Sequence, residues 1–285
     1  MKILITGASG EVGRRIALIL SERGEALRLM YRDLARAQPP PGTETVAGDY
    51  GDPASLDRAF AGMDAAFIVS GNAEPGKRAR LHANAIDAAA RARTPHVVYL
   101  SFQNASPASK FPMGRDHFMT EQHLRASGLR YTALRDNLYL DILPEMFDAE
   151  GRLRGPAGNG AAAFVARDDV ARCAAAVLTD ARAEAAYDIA GPQALTLADV
   201  ARRFSALTGR ALEYVDESLD EARAWRRPLA SAPWEVDVWT GSYEAIGAGE
   251  LENTGDAVRR LTGRDPLSLE AYFTLHPRLL GHLAR

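Results

Sequence analysis

The chain has 285 residues, of which 47% are hydrophobic and 25% charged, and its 34 Lys and Arg set against 37 Asp and Glu leave a net charge of only −3. That composition is enough for a full globular core, and so weak a field argues against a nucleic-acid or membrane-surface binder. Cys173 is the single cysteine, which excludes an intrachain disulfide and any multi-cysteine metal site and points to the reducing cytoplasm.

Met1 leads straight into Lys2-Ile3-Leu4-Ile5-Thr6, a strand pattern and not a signal peptide, and no apolar run approaches the roughly 20 residues of a membrane helix. Strands are predicted at Lys2 to Thr6, Ala26 to Tyr31, Thr45 to Ala47, Ala65 to Val69, His96 to Leu100 and Tyr131 to Leu134. Helical periodicity fills the gaps: Glu11 to Arg23, Pro53 to Phe60 behind an Asp52 cap, Lys77 to Arg93, and Met113 to Ser127. Six such alternating units predict an α/β fold with a doubly wound parallel sheet. After Asp136 the rhythm changes. A Gly-rich loop from Gly151 to Gly160, a short strand near Phe164, a helix from Asp168 to Leu178, a strand at Ala186 to Ile189 and a capping-box start at Thr196 to Asp199 precede a mostly helical remainder from Tyr214. The expected division is a nucleotide-binding domain over 1–135 and a smaller α+β substrate lobe over 136–285, some of whose segments can return to the sheet.

The most informative motif is Thr6-Gly7-Ala8-Ser9-Gly10-Glu11-Val12-Gly13, with glycines at 7, 10 and 13 between the first strand and the first helix. Glycines let the backbone turn sharply and approach a pyrophosphate, while free amides and the helix dipole offset its charge. Strand, turn and helix in this order predict a Rossmann-type dinucleotide site. The second strand ends in Tyr31-Arg32-Asp33, with Arg36 one turn later. Arg32 and Arg36 would receive the 2′-phosphate of NADPH, whereas Asp33 would receive the ribose diol of NADH. Asp49 either accepts the adenine amino group or serves the local turn. Ser70 and Gly71 after the fourth strand and Ser101 after the fifth lie at carboxyl ends, the ligand-binding edge of such sheets.

A carbonyl reductase of the short-chain type protonates its product with a Tyr-x-x-x-Lys pair, and none of the nine tyrosines has a lysine four residues later. The helix expected to carry the pair reads His117-Phe118-Met119-Thr120-Glu121. His117 is open to two readings, proton donor or cofactor contact on one side and an ordinary helix-surface residue on the other. A conjugated acceptor such as a quinone or a cationic dye delocalises incoming charge and needs no strong acid, since hydride transfer is the cofactor's own chemistry. Cys173 lies on an apolar helix stripe and reads as a buried structural thiol, and the histidine spacing offers no metal site. Trp225, Trp234 and Trp239 would line an acceptor pocket or fill the lobe's core. Arg223, Arg226 and Arg227 read as a solvated helix face.

With these residues in hand, the sequence resembles the NmrA-like group of atypical short-chain dehydrogenases/reductases, in particular its quinone oxidoreductase and triphenylmethane reductase branch. The resemblance spans most of the chain and rests on the glycine loop, Arg32, Gly48-Asp49, the His117 to Glu121 stretch, Leu134-Arg135-Asp136-Asn137-Leu138-Tyr139, and Phe164 to Ala171. It implies that Thr6, Gly7, Ser9, Gly10, Glu11 and Val12 surround phosphates, Arg32 the 2′-phosphate and Asp49 the adenine. Ser70, Gly71 and Ser101 would approach ribose and nicotinamide, and Asn137 and Tyr139 would border nicotinamide and substrate. Asp136-Asn137 departs from the Asn-Gly of the quinone reductases. The implied activity is reduction of a small conjugated acceptor by NADPH. A non-catalytic redox sensor and a carbonyl or imine reductase using His117 or Tyr139 are the alternatives.

Overall fold

Seven parallel strands form the centre of the structure, a computed structural model that describes residues 1–180, 183 and 185–283. The first part of the chain runs β1 (Lys2–Ile5), α1 (Glu11–Glu22), β2 (Ala26–Tyr31), β3 (Glu44–Ala47), α2 (Pro53–Phe60), β4 (Ala65–Ile68), α3 (Lys77–Arg91), β5 (His96–Phe102), α4 (Pro112–Ala126) and β6 (Tyr131–Asp136). It continues through β7 (Arg152–Gly155), β8 (Ala161–Ala162), α5 (Arg167–Leu178), β9 (Ala186–Ile189), β10 (Leu195–Thr196), α6 (Leu197–Thr208), β11 (Glu213–Asp216), α7 (Leu219–Arg226), α8 (Pro233–Gly247), α9 (Ala257–Thr262) and α10 (Leu269–Leu275). The sheet order is β3-β2-β1-β4-β5-β6-β9, with the chain reversing its direction of growth between β1 and β4.

Period-two alternation decides which residue meets which layer. Ile3, Ile5, Phe67 and Leu100 face a core shared with α1 and α5, whereas Leu4, Ile68, Val97 and Tyr99 face the opposite core with Leu56, Phe60, Ile86 and Leu124 of α2, α3 and α4. All of these side chains are buried. The buried Cys173 belongs to the α1 and α5 side, where burial pushes its thiol up to about 12.

The helix predicted from Asp168 and the strand predicted from Ala186 lie in the C-terminal half of the sequence, yet in space both return to the sheet. β9 pairs with β6, and α5 packs along α1. The remaining lobe holds two small sheets, β7 beside β11 in parallel and β8 against β10 antiparallel. β7 falls inside the stretch expected to be a Gly-rich loop, and β11 falls where helix was expected. Each is four residues long and pairs with the other across some sixty residues of chain, which local pattern cannot register. Phe147, Leu153, Phe204, Tyr243, Ile246 and Phe273 form the lobe's core. The lobe sits on the half of the molecule that carries the large sheet through α8, where a Cβ on Gly241 would lie 2.5 Å from Pro112 Cδ at the start of α4. No helix among the described residues is long and apolar enough to cross a membrane.

Candidate functional site

The turn after β1 is built for close approach. Gly7 has φ +61°, and a Cβ there would lie 2.4 Å from Val69 Cγ1 at the end of β4. At Gly13, a Cβ would lie 2.4 Å from the Gly7 carbonyl oxygen, so α1 touches its own loop backbone to backbone. Thr6 is fully buried and uses its hydroxyl structurally: Oγ1 donates to the Phe67 carbonyl, accepts from Val69 N and lies 2.6 Å from Tyr50 Oη. The first turn of α1 has no side-chain cap, because Gly10 stands at its N-cap, and its amides remain for an anion. Glu11 turns aside to Arg15, whose guanidinium hydrogen bond holds its carboxyl below the usual range.

Beside this loop, at the end of β2, a cleft of about 610 Å³ is lined by Ser9, Tyr31, Arg32, Asp33, Arg36 and Gln38. Arg32 and Arg36 are exposed there, while Asp33 Oδ1 accepts from Ala35 N at 2.9 Å and caps a short turn. The Asp33 carboxylate is therefore partly committed to the backbone. Asp49 behaves similarly: its Oδ1 accepts from Gly51 N at 2.6 Å, so it serves the local turn, and the second oxygen is left outward on an exposed residue.

The loop after β4 is fastened from below by side chains that sequence reading passed over. Gly71 N donates to His82 Nε2 at 3.1 Å, and the Gly71 carbonyl accepts from Arg78 Nε at 2.7 Å. Arg78 Nη2 in turn donates to His117 Nε2 at 2.9 Å, and Tyr99 Oη lies 2.9 Å from His117 Nδ1 and 3.2 Å from His82 Nδ1. An arginine can only donate, so His117 Nε2 must accept and its proton sits on Nδ1, toward Tyr99. The same argument from the Gly71 amide puts the His82 proton on Nδ1. Burial, reinforced by the Arg78 charge, pushes both imidazoles well below their usual pKa. His117 is 3% exposed and stacks on Phe102. The helix-surface reading of His117 thus fails, and a neutral ring with both nitrogens engaged has no proton to spare for a substrate.

At the carboxyl ends of β5 and β6 the expected residues divide. Ser101 is fully buried and donates to Glu121 Oε1 at 2.6 Å, in a cluster completed by Arg135, whose Nε reaches the same oxygen at 2.9 Å. Asn137 is also buried, donating to Gln103 Oε1 at 2.5 Å and to the Leu251 carbonyl at 2.9 Å. Neither side chain is available at a ligand surface; both tie the strand ends together. Tyr139 is half-buried, donates its hydroxyl to Asp136 Oδ2 and carries the Arg167 guanidinium over its ring at 4.4 Å. Ser70 and Gly71 remain partly exposed on the loop.

On the other flank of the phosphate loop, a cleft of about 540 Å³ is bounded by Glu11, Arg15, Asp141, Arg167, Tyr272 and His276. Asp168 receives Arg15 Nε at 2.7 Å and pairs with His276 Nε2 at 2.8 Å, and Tyr272 donates to Asp141 Oδ1 at 2.7 Å. His276, just past α10, is thereby tied through Asp168 to Arg15 of α1. The expectation that the tryptophans fill the lobe's core does not hold for Trp225 and Trp239, which are 39% and 37% exposed, and Trp234 is half-buried. Nor is Arg226 solvated. It is buried between the Trp225 and Tyr243 rings and pairs with Glu217 at 2.9 Å. Among the described residues no cluster of His, Cys, Asp and Glu is poised to hold a metal ion.

A tight glycine turn between β1 and an uncapped helix, next to a basic cleft past β2 and at the point where strand order reverses, is the geometry of a nicotinamide-dinucleotide site. Residues 7–181 match a family described as NAD(P)H-binding. The (4-alkanoyl-5-oxo-2,5-dihydrofuran-3-yl)methyl phosphate reductase of Streptomyces griseus is 34% identical, over 92% of this chain and 93% of its own. The NADPH complex of the Escherichia coli quinone oxidoreductase QOR2 superposes with a TM-score of 0.88 at 28% identity, covering 98% of this chain and all of that one. The NADP(H) complex of Citrobacter sp. triphenylmethane reductase gives 0.85 at 28% identity, covering 96% and 99%. The chain belongs to the NAD(P)H-binding family of NmrA-like atypical short-chain dehydrogenases/reductases. It is an NAD(P)H-dependent oxidoreductase.

Proposed function

We propose that the protein is an NADPH-preferring reductase that passes hydride directly to a small, conjugated, quinone-like acceptor without a Tyr-Lys pair. Bound NADPH supplies the hydride. The residues of the chain bind, orient and shield. Gly7, Ser9, Gly10, Glu11 and Val12 present backbone to the pyrophosphate, with Gly13 holding α1 close enough for its first amides to reach. Arg32 and Arg36 take the 2′-phosphate. Their shared cleft carries the assignment, because Asp33, the rival partner for a ribose diol, is engaged with Ala35 N. Asp49 offers its outward oxygen to the adenine, and Ser70 and Gly71 approach the ribose on a loop that Arg78, His82, Tyr99 and His117 hold still.

The acceptor class follows from what α4 lacks. This helix has neither tyrosine nor lysine, and its His117 is neutral and engaged. The named substrate of the Streptomyces relative is an unsaturated lactone phosphate, and the two solved relatives are named for quinones and triphenylmethane dyes, all conjugated electrophiles. Steady-state NADPH oxidation with a panel of quinones, cationic dyes and unsaturated lactones tests the reading. Turnover of at least one of them is expected, with Arg32→Ala losing NADPH affinity and leaving that for NADH in place. Binding without turnover on every acceptor would overturn it.

A further inference from the structure

The reading above leaves the product's proton unassigned, and the structure holds one unused acidic group at the right edge of the sheet. Asp136 closes β6, opposite Phe102 at the end of β5, and is 4% exposed. Three groups face it: Tyr139 from the following turn, Arg78 from α3 and Arg167 from the start of α5. Burial outweighs all three and pushes its carboxyl up to about 7, so near neutrality it still holds a proton much of the time. Arg78 reaches this region with Nη1 buried and without a hydrogen-bond partner.

Tyr139 follows this carboxyl just past the end of β6, on the ligand-binding edge of the sheet, and is partly exposed. Its hydroxyl is hydrogen-bonded to Asp136 Oδ2, donating while that carboxyl is ionised; with the carboxyl protonated the same contact runs from acid to phenol and frees the phenol proton for the acceptor, while the ring packs against the apolar cluster on the α1 and α5 side. Burial, together with the Asp136 carboxyl, holds the phenol well above its usual range, so it does not ionise by itself. Asp141 adds to that effect and Arg167 opposes it.

We propose that Tyr139 gives the proton to the reduced acceptor and that Asp136 behind it is the positioning residue that returns a proton to the phenol. The proposal rests on the hydride-transfer reading and narrows it to acceptors that end with charge on oxygen or nitrogen, such as unsaturated carbonyls, quinones and azo groups. The balance is simple. A hydride brings two electrons and one hydrogen to the acceptor, and the nicotinamide is oxidised. The electron pair displaced onto the acceptor's heteroatom takes the Tyr139 proton as the phenol O–H breaks. That bond re-forms with the Asp136 proton, and the Asp136 carboxylate recovers its own from water.

The test pairs a spectrum with two acceptors. In cofactor-free protein, the infrared band of a protonated carboxyl should be present at pH 6, fade as pH rises through about 7, and be missing from Asp136→Asn. No such band in the folded wild type overturns the proposal. In turnover, a p-quinone or unsaturated lactone needs hydride and proton, whereas a cationic triarylmethane dye needs hydride alone. Asp136→Asn and Tyr139→Phe should lower the ratio of the first rate to the second by about ten-fold or more, and Asp136→Glu should restore part of it. The falling limb of kcat/KM near pH 7 should vanish in Asp136→Asn. An unshifted ratio, both rates falling together, overturns the proposal and leaves the hydride reading standing. A wild type that binds NADPH and reduces neither acceptor overturns both.

Discussion

Replacing Gly13 with alanine adds one methyl group where the structure has room for none. The new Cβ would lie 2.4 Å from the Gly7 oxygen, 3.0 Å from the Gly7 carbonyl carbon and 3.3 Å from Ala8 Cα. All three are backbone atoms, so no side chain can swing aside, and ordinary contact returns only if α1 and its loop part by about 1 Å. Overpacking of this kind costs about 1–3 kcal/mol, while alanine inside a helix gives back about 1 kcal/mol, so fold stability should fall by no more than about 2 kcal/mol. Binding is hit harder. Amides displaced by about 1 Å lose hydrogen bonds to a charged group worth about 1.5–3 kcal/mol each, and losing one lowers NADPH affinity by about 10- to 100-fold. Calorimetric titration at fixed salt, run beside thermal unfolding, separates the two effects. A folded Gly13→Ala protein that bound NADPH within about twofold of wild type would refute the claim that this contact sets the phosphate geometry.

Four further outcomes are expected. Arg32→Ala should weaken NADPH by about 10- to 100-fold in equilibrium titration with little change for NADH, since one charge-assisted contact to the 2′-phosphate is lost. Glu121→Ala leaves the buried Ser101 hydroxyl and the partly buried Arg135 without their partner, and denaturant titration should show a loss of about 3 kcal/mol, the low end for a broken buried pair because Arg135 is a third exposed. Tyr272→Phe removes the bond to Asp141, and its unfolding midpoint should fall by the equivalent of about 1 kcal/mol. Asp136 is protonated more readily folded than unfolded, so its contribution is complete below the unfolded pKa of about 4 and is lost as pH rises through about 7. Relative to Asp136→Asn, wild-type stability measured in urea should therefore drop by as much as about 4 kcal/mol between pH 4 and pH 8.

What could be read from sequence was local. Gly7, Gly10 and Gly13 announce their turn within eight residues, and the alternation of Ile3, Leu4 and Ile5 between two apolar layers is visible without any partner. The position of Arg32 at the cleft past β2 was legible because it follows directly on a strand end. Ser101 and Asn137 were placed at the correct edge, but whether a side chain at an edge faces ligand or neighbour depends on Glu121, Gln103 and Leu251, residues 20, 34 and 114 positions away. The fastening of the β4 loop shows the same limit. Arg78 and His82 sit four apart on α3, a spacing that puts them on one face, yet only the fold reveals that Tyr99 and His117 meet them there. Asp136 stood out as a departure from the relatives' pattern; its burial and its bond to Tyr139 did not.

The pairing of β9 with β6 bears on how the protein is made. Emerging from the ribosome, the first six strands present a bare β6 edge and an apolar flank beside α1 until some fifty more residues have followed. Unpaired strand edges and uncovered apolar faces are the features that draw nascent chains into aggregates. Slow translation through the small lobe would prolong that vulnerable interval, and chaperone demand during synthesis should concentrate there.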